Sequence, residues 1–343
     1  MKNPKHLLWI VTIGFIALLW VSTSMAAEWK FYGHARMTTF YQDEKINDKH
    51  DASTRWDLQS NARIGATAKN DNIGGCFEYG SAPNLRRLFG TWNFGAGELK
   101  VGQDYTPSYY AISSQAYNDD DGLLNYGQAY IGRQPMLQVS MSGAKIALIK
   151  PKSSDLGTKG DVDSLFPKLE ACYELAVNNL KVIPFLGYQY YSIETPKKDL
   201  DVNAFLVGSH LELKTGPAYI KGTAYFSTNA DQFGLSGKGA RSAVVVNDDV
   251  KDCNSYGVAG VFGFKATDTM TVETGAGYQS HELDTKGSDP DDTLCVYAQA
   301  KIDLATGVFI VPEVGYIDYL DNNKGDDEKS SCIYGGAKWE IRF

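Results

Sequence analysis

Residues 333–343 read IYGGAKWEIRF, and two kinds of side chain alternate along this stretch. One set is apolar or small and consists of Ile333, Gly335, Ala337, Trp339, Ile341 and Phe343. The other set is more polar and consists of Tyr334, Gly336, Lys338, Glu340 and Arg342. A period of two residues is that of a β-strand whose two faces meet different surroundings. The stretch therefore predicts a strand with lipid on one side and water on the other.

The same alternation runs from Trp29 to Gln42, and it recurs at 56–67, 270–279 and 294–302. No helical period competes with it. A strand rises about 3.3 Å per residue, so the residues from Trp29 to Tyr41 extend for roughly 40 Å, which a tilt of about 40° reduces to roughly 30 Å. That length matches the hydrocarbon core of a bilayer.

The connections between these stretches alternate in length. Short turns fall, for example, at 95–97, 142–143 and 215–216. Longer polar loops fall, for example, at 43–55, 107–132 and 228–254. Short turns on one side and long loops on the other are typical of outer-membrane barrels. We expect an all-β fold, a closed antiparallel transmembrane β-barrel of about sixteen strands with one loop folded into its lumen.

Two features qualify this prediction. A soluble β-sandwich also has regular turns, but the alternating final strand that ends on Phe343 favours the barrel. Pro184 and Pro312 lie inside predicted strands, where a missing N–H costs a bond of the ladder. Either a bulge accommodates each proline or the strand boundaries lie elsewhere.

The first 26 residues have a basic start, an apolar run from Leu7 to Val21 and a small-residue end, the order of a secretory signal peptide. We expect cleavage after Ala26, which leaves residues 27–343 as the barrel; an uncleaved anchor is the alternative. Removing Lys2 and Lys5 from the 33 basic residues leaves 31 against 41 acidic ones, a net charge of −10. This charge argues against nucleic acid as a partner.

The five cysteines have no metal-ligand spacing, and we expect neither a metal nor a cofactor. Cys253, Cys295 and Cys332 all fall at the predicted external end, where one disulfide is conceivable. Separate thiols, buried or lining the lumen, are the main expectation.

The leader, the alternation, the strand spacing and the terminal phenylalanine together resemble the general diffusion porins of Gram-negative outer membranes. The resemblance implies a homotrimer surrounded by outer-membrane lipid and lipopolysaccharide, which passes small hydrophilic solutes and ions passively. It also implies that Trp339, Ile341 and Phe343 form the signal read by the barrel-assembly machinery. Two features depart from the family: the third-loop sequence Pro-Glu-Phe-Gly-Gly is absent, and the second outer loop is too short to latch onto a neighbour.

A barrel of this width needs something to narrow its lumen. The resemblance points to the loop 107–132, whose acidic run is Asp119, Asp120 and Asp121. The predicted water-facing cations are Lys30, Arg36, Arg63, Arg87, Lys100 and Arg133. Opposed charges of this kind would set a transverse field across the pore. The net charge and the acidic run favour a mild cation preference, which the basic wall could reverse.

Three other functions are weighed against this one. An enzyme is disfavoured because the mature chain has only His34, His50, His210 and His281, and no motif of a hydrolase or zinc protease accompanies them. A substrate-specific channel would need an aromatic slide for sugars or an arginine cluster for phosphate. A plugged structural or adhesive barrel could use its acidic outer loops to bridge divalent cations to lipopolysaccharide.

Overall fold

The computed structural model describes residues 27–47, 49–82, 84–321 and 327–343, and at 321 and 327–329 it describes the backbone alone. The predicted leader, residues 1–26, lies outside the described residues. None of the helices in the described part of the chain is long and apolar enough to cross a membrane.

Nineteen strand segments of the described chain form one sheet, and because two strands are interrupted, these segments make sixteen wall strands. The strands are β1 Glu28–Ile46, β2 Lys49–Leu58 and Arg63–Asn70, β3 Ile73–Gly80, β4 Leu85–Asn93, β5 Glu98–Tyr105, β6 Arg133–Met141, β7 Ala144–Ile149, β8 Asp161–Asp163, Lys168–Tyr173 and Leu175–Val177, β9 Leu180–Glu194, β10 Asp199–Thr215, β11 Ala218–Thr228, β12 Cys253–Lys265, β13 Met270–Leu283, β14 Asp291–Ala305, β15 Val308–Asp321 and β16 Asp327–Arg342. Two helical turns, α1 Tyr117–Asp120 and α2 Ala230–Phe233, and a small hairpin, Val244–Val246 with Asp249–Lys251, lie in loops.

Every strand pairs antiparallel with its neighbours, and β16 pairs with β1, which closes the barrel. Met37 lies opposite Trp339 in this seam, and the amide of Phe343 donates to the carbonyl of Gly33 at 3.0 Å. The predicted fold class, a closed sixteen-stranded antiparallel barrel, is thus confirmed. Closure removes the sheet edges that lipid could not satisfy.

The two faces of the wall differ as the alternation predicts. On β1, Phe31 and Tyr41 are exposed on the outer surface, whereas Arg36, Thr38 and Gln42 are buried towards the interior. The final strand follows the same rule. There, Trp339, Ile341 and Phe343 are exposed and Glu340 is buried.

Both prolines lie within strands, so the predicted boundaries were right at these points, and no bulge is needed. Pro184 pairs in unbroken register with Ser209 of β10, but on its other side β8 is interrupted at Glu174. Pro312 pairs with Ala337 of β16, while its pairing with β14 lapses. Each missing N–H therefore costs the ladder on one side only.

Two predictions about the first hairpin were wrong. The predicted loop 43–55 is mostly strand, because β1 and β2 pair from Met37 opposite Leu58 to Ile46 opposite Lys49. The predicted continuous strand 56–67 is broken at 59–62. There the Ala62 amide turns back to the Gln59 carbonyl, and polar groups at 59–61 bind the loop 107–132 instead.

All five cysteines are free and buried, so Cys253, Cys295 and Cys332 form no bridge. Cys295 and Cys332 lie in a cluster of buried residues that joins the wall to the loop 107–132.

Candidate functional site

Residues 107–132, here called the long loop, leave β5 and run along the inward-facing side chains of β8, β10 and β13 to β15. Four buried wall glutamates accept hydrogen bonds from the loop. The pairs are the Ser108 amide with Glu170 at 3.1 Å, the Tyr110 hydroxyl with Glu212, the Ser114 amide with Glu273 at 2.9 Å, and the Tyr117 amide with Glu313 at 3.0 Å. Carboxylate acceptors make stronger hydrogen bonds than neutral ones. The loop is therefore fastened to the wall over much of its length.

Aromatic packing reinforces this attachment where β16 meets β1. The ring of Tyr117 stacks on Tyr334 with centroids 3.7 Å apart, and it meets Phe40 edge-on at 5.5 Å. Ile112 and Leu123 are fully buried in the same cluster. Aromatic pairs of this kind add roughly 0.5–1.5 kcal/mol beyond their buried area.

The returning half of the long loop touches the wall at β12 and β13. Gly127 has a φ of +94°, and a Cβ there would collide with the carbonyl oxygens of Val258 and Tyr278. A Cβ on Gly277 would likewise strike the carbonyl of Tyr126. Glycine at both positions allows the two backbones to approach closely.

The acidic run lies at the turn of the long loop, against β1, β2 and β16. Asp120 pairs with Arg36 at 2.7 Å and with Lys338 at 2.9 Å. Burial would raise the pKa of Asp120, but the charges of Lys338 and Arg36 outweigh it and hold this pKa below its ordinary value. Asp120 is therefore an ionised carboxylate whose charge two cations already neutralise.

The other two aspartates have different surroundings. Asp119 accepts hydrogen bonds from the Ser60 hydroxyl and from the Asn61 amide at 3.2 Å, and no cation pairs with it among the described residues. Burial raises the pKa of Asp121 to about 6, although a hydrogen bond from Asn118 opposes the shift. Burial therefore makes Asp121 easier to protonate, whereas the cations beside Asp120 lower the pKa of that carboxyl.

The predicted basic wall residues fall into two groups. Arg36, Arg63 and Arg133 line a cavity beside the long loop. Arg87 and Lys100 instead share the Asp104 carboxylate, at 2.7 and 2.6 Å. Lys30 lies near the start of β1, with its side chain 73% exposed beside Glu28.

Three cations of the cavity were missed by the sequence analysis: Arg86, Lys338 and Arg342. The alternation places Arg86 outward, but a register shift opposite Glu78 and Tyr79 turns it inward beside Arg87. Lys338 and Arg342 were recognised as water-facing, but their strand lies far from the long loop in sequence. Closure of β16 on β1 places them in the cavity.

The cavity has a volume of about 450 Å³ and lies between the long loop and the arc of wall from β16 through β1 to β6. Its charged lining residues are Arg36, Arg63, Arg86, Arg133, Lys338, Arg342, Asp119, Asp120 and Asp121. Behind them, Glu340 pairs with Arg36 and Arg342, and Glu78 pairs with Arg63 and Arg86. Among the described residues only Arg133 of these six cations has no carboxylate partner.

A second element was also missed. Residues 229–243, here called the inner segment, were predicted to be part of an external polar loop, but they pack against the long loop and the wall. The Lys168 ammonium donates to the Phe233 carbonyl at 2.6 Å, and the Ser236 amide donates to the Tyr130 carbonyl at 2.7 Å. Phe233 is fully buried against β8 and β9. The apolar Phe233 and Leu235 were the only signal of this packing in an otherwise polar stretch.

No family model and no curated protein matches the chain. Solved structures do. The outer membrane channel DcaP of Acinetobacter baumannii superposes with a TM-score of 0.76 at 14% identity, over 94% of this chain and 99% of that one. OmpF of Salmonella typhi gives 0.63 at 11% identity, over 93% and 98%. The trimer form of OmpT, an outer membrane protein of Vibrio cholerae, gives 0.57 at 16% identity, over 93% and 100%.

At these identities the likeness establishes the fold. The chain is a closed sixteen-stranded barrel of the outer-membrane porin type. Of these neighbours, DcaP is an outer membrane channel and OmpT is an outer membrane protein.

Proposed function

We propose that the protein is an outer-membrane porin through which small hydrophilic solutes and ions diffuse passively, and that the long loop narrows its pore. The observation that carries the proposal is the polar cavity between the long loop and the basic arc of the wall. The wall side chains of a barrel this wide cannot fill the lumen by themselves. The glutamate contacts along the loop support its role as a fixed constriction.

The constriction should prefer anions, contrary to the mild cation preference expected from sequence. The negative charge of the acidic run is outweighed in the cavity, because six cations line it against these three aspartates, and Asp120 is itself paired with Arg36 and Lys338. Arg133 contributes an uncompensated positive charge. Charges at the narrowest section of a pore affect its ion selectivity more than the net charge of the protein does.

The remaining parts of the proposal concern export and assembly. A leader ending at Ala26 would direct the chain through the inner membrane, and Trp339, Ile341 and Phe343 would address it to the assembly machinery. Outer-membrane lipid and lipopolysaccharide would then surround the exposed side chains of the outer surface, such as Phe31, Tyr41 and Trp339. A homotrimer is supported by the trimer form of OmpT, which shares this fold.

Planar bilayers containing the purified protein test the proposal directly. We expect ohmic, voltage-closable channels whose reversal potential in a KCl gradient indicates a preference for chloride. A variant with Asn at 119, 120 and 121 should shift the reversal potential further towards chloride. An unchanged value would remove the long loop from the selectivity argument, and the absence of any conductance would favour a plugged barrel.

A substrate-specific channel is the second candidate. It is favoured by the same cavity, since arginines and tyrosines line it together. Current block by a solute at micromolar to millimolar concentration would distinguish this function from general diffusion.

A further inference from the structure

One side of the cavity contains three tyrosine rings in mutual contact. Tyr105 stacks on Tyr109 with centroids 4.7 Å apart, and Tyr109 lies 5.1 Å from Tyr130. The described residues offer no hydrogen-bond partner to the hydroxyl of Tyr109 or Tyr130. Burial raises the pKa of both hydroxyls, so both remain protonated donors at neutral pH.

Three guanidinium groups line the cavity next to these rings. Arg63 and Arg86 share the single carboxylate of Glu78, at 3.5 and 2.7 Å. Arg133 lies 5.4 Å from the Tyr105 ring centroid, and it donates to the Tyr105 hydroxyl at 3.1 Å. Three cations and one carboxylate leave this corner with a charge of +2.

Most of the N–H donors of Arg133 have no partner among the residues that the structure describes. A guanidinium group has five N–H donors, and the hydroxyl of Tyr105 accounts for one of those of Arg133. Guanidinium groups bind carboxylate and phosphate oxygens in pairs. The flanking rings offer apolar surface to the body of a small organic solute.

We propose that Arg63, Arg86 and Arg133, with the hydroxyls of Tyr109 and Tyr130, form a binding site for the oxyanion group of a small solute, a carboxylate or a phosphate. The site lies within the constriction. This inference rests on the proposed porin function and adds the class of solute that the pore selects. A solute would be held there briefly before it passes the long loop. Selection would therefore depend on the oxyanion group and not on size alone.

The test uses the purified full-length chain in planar bilayers at constant ionic strength, with inorganic phosphate, butyrate and the uncharged butyramide as probes. We expect phosphate, butyrate or both to reduce the KCl current at millimolar concentration, whereas butyramide does not. Block by one oxyanion alone would identify which group the site accepts. Equal block by butyrate and butyramide would overturn the proposal.

Variants separate the site from general electrostatics. Arg133→Gln should raise the half-blocking concentration about tenfold, since it removes one charge-assisted contact. Exchanging both Tyr109 and Tyr130 for Phe should raise it several-fold without changing any charge. Lys301→Gln removes one positive charge that pairs with Asp303 outside the cavity, and block should be unchanged. A gel shift on heating confirms that each variant folds.

Failure of this proposal can be told apart from failure of the proposed function. Open channels that neither phosphate nor butyrate blocks would refute the oxyanion site and leave the porin function in place. If no channels form, calorimetry of phosphate and butyrate with the detergent-solubilised chain still decides the site. Absence of binding, or equal binding to the Arg133→Gln variant, would refute it.

Discussion

Exchanging Asp120 for Asn should loosen the tip of the long loop, because this carboxylate pairs with one cation from each of the two strands that form the barrel seam. Its oxygens lie 2.7 Å from Arg36 on β1 and 2.9 Å from Lys338 on β16. Removing one partner of a largely buried ion pair costs about 3 kcal/mol. The equilibrium constant for opening of the loop tip should therefore rise by a factor on the order of 100. Hydrogen exchange of the loop amides in detergent measures this factor.

Asp119→Asn is the matched control. It removes the same charge from the adjacent residue, but Asp119 binds the neutral groups of Ser60 and Asn61 and no described cation. Exchange should therefore rise much less than in the Asp120 variant, while both variants shift the reversal potential towards chloride. Equal exchange rates in the two variants would refute the claim that the ion pairs of Asp120 hold the loop.

Three further predictions concern the interior. Burial raises the pKa of Asp121 to about 6, above that of an unfolded aspartate, so the folded loop binds more protons than the unfolded one. The loop should therefore become more stable as pH falls from about 6 to about 4. The protection of the loop amides from hydrogen exchange should rise over this range in the native chain and should not rise in Asp121→Asn. Gly127→Ala should displace the loop and change the conductance, whereas Gly157→Ala, which has a similar φ of +80° but no neighbour within 4 Å, should leave it unchanged. Phe233→Ala should cost about 3–5 kcal/mol of packing, and the released inner segment should raise the single-channel conductance; an unaltered conductance would show that this segment does not obstruct the pore.

The wall of the barrel could be predicted because its signal is local. Two-residue alternation at Trp29 to Gln42 and at 333–343 assigns each side chain to a face without knowledge of the neighbouring strands, and both assignments were confirmed. How the strands accommodate the two prolines was harder to predict, because the cost of a missing N–H depends on which neighbouring strand it would have bonded to. Pro184 loses its partner on β8 and keeps its register with β10.

The site was predicted less completely because its parts meet through tertiary structure. Arg86 could be placed in the cavity only from the structure, because a register shift opposite Glu78 turns it inward. An alternation pattern in the sequence does not reveal such a shift. Lys338 reaches Asp120 only because the last strand closes on the first. The inner segment is polar in composition, and its position depends on two buried apolar side chains and on backbone contacts such as that of Ser236 with Tyr130.

The net charge of the chain shows most clearly what amino-acid composition alone cannot predict. The net charge of −10 over residues 27–343 suggests a pore that favours cations. Burial and pairing, however, determine which of these charges an ion in the pore meets. Glu78, Asp120 and Glu340 are all paired with cations of the cavity. Beside the tyrosines of the cavity, Arg63, Arg86 and Arg133 have only the Glu78 carboxylate to balance them, and the protonated hydroxyls of Tyr109 and Tyr130 can donate to an anion there. The acidic excess of the chain and the proposed anion-selective constriction are therefore compatible, because six cations but only three aspartates line the cavity.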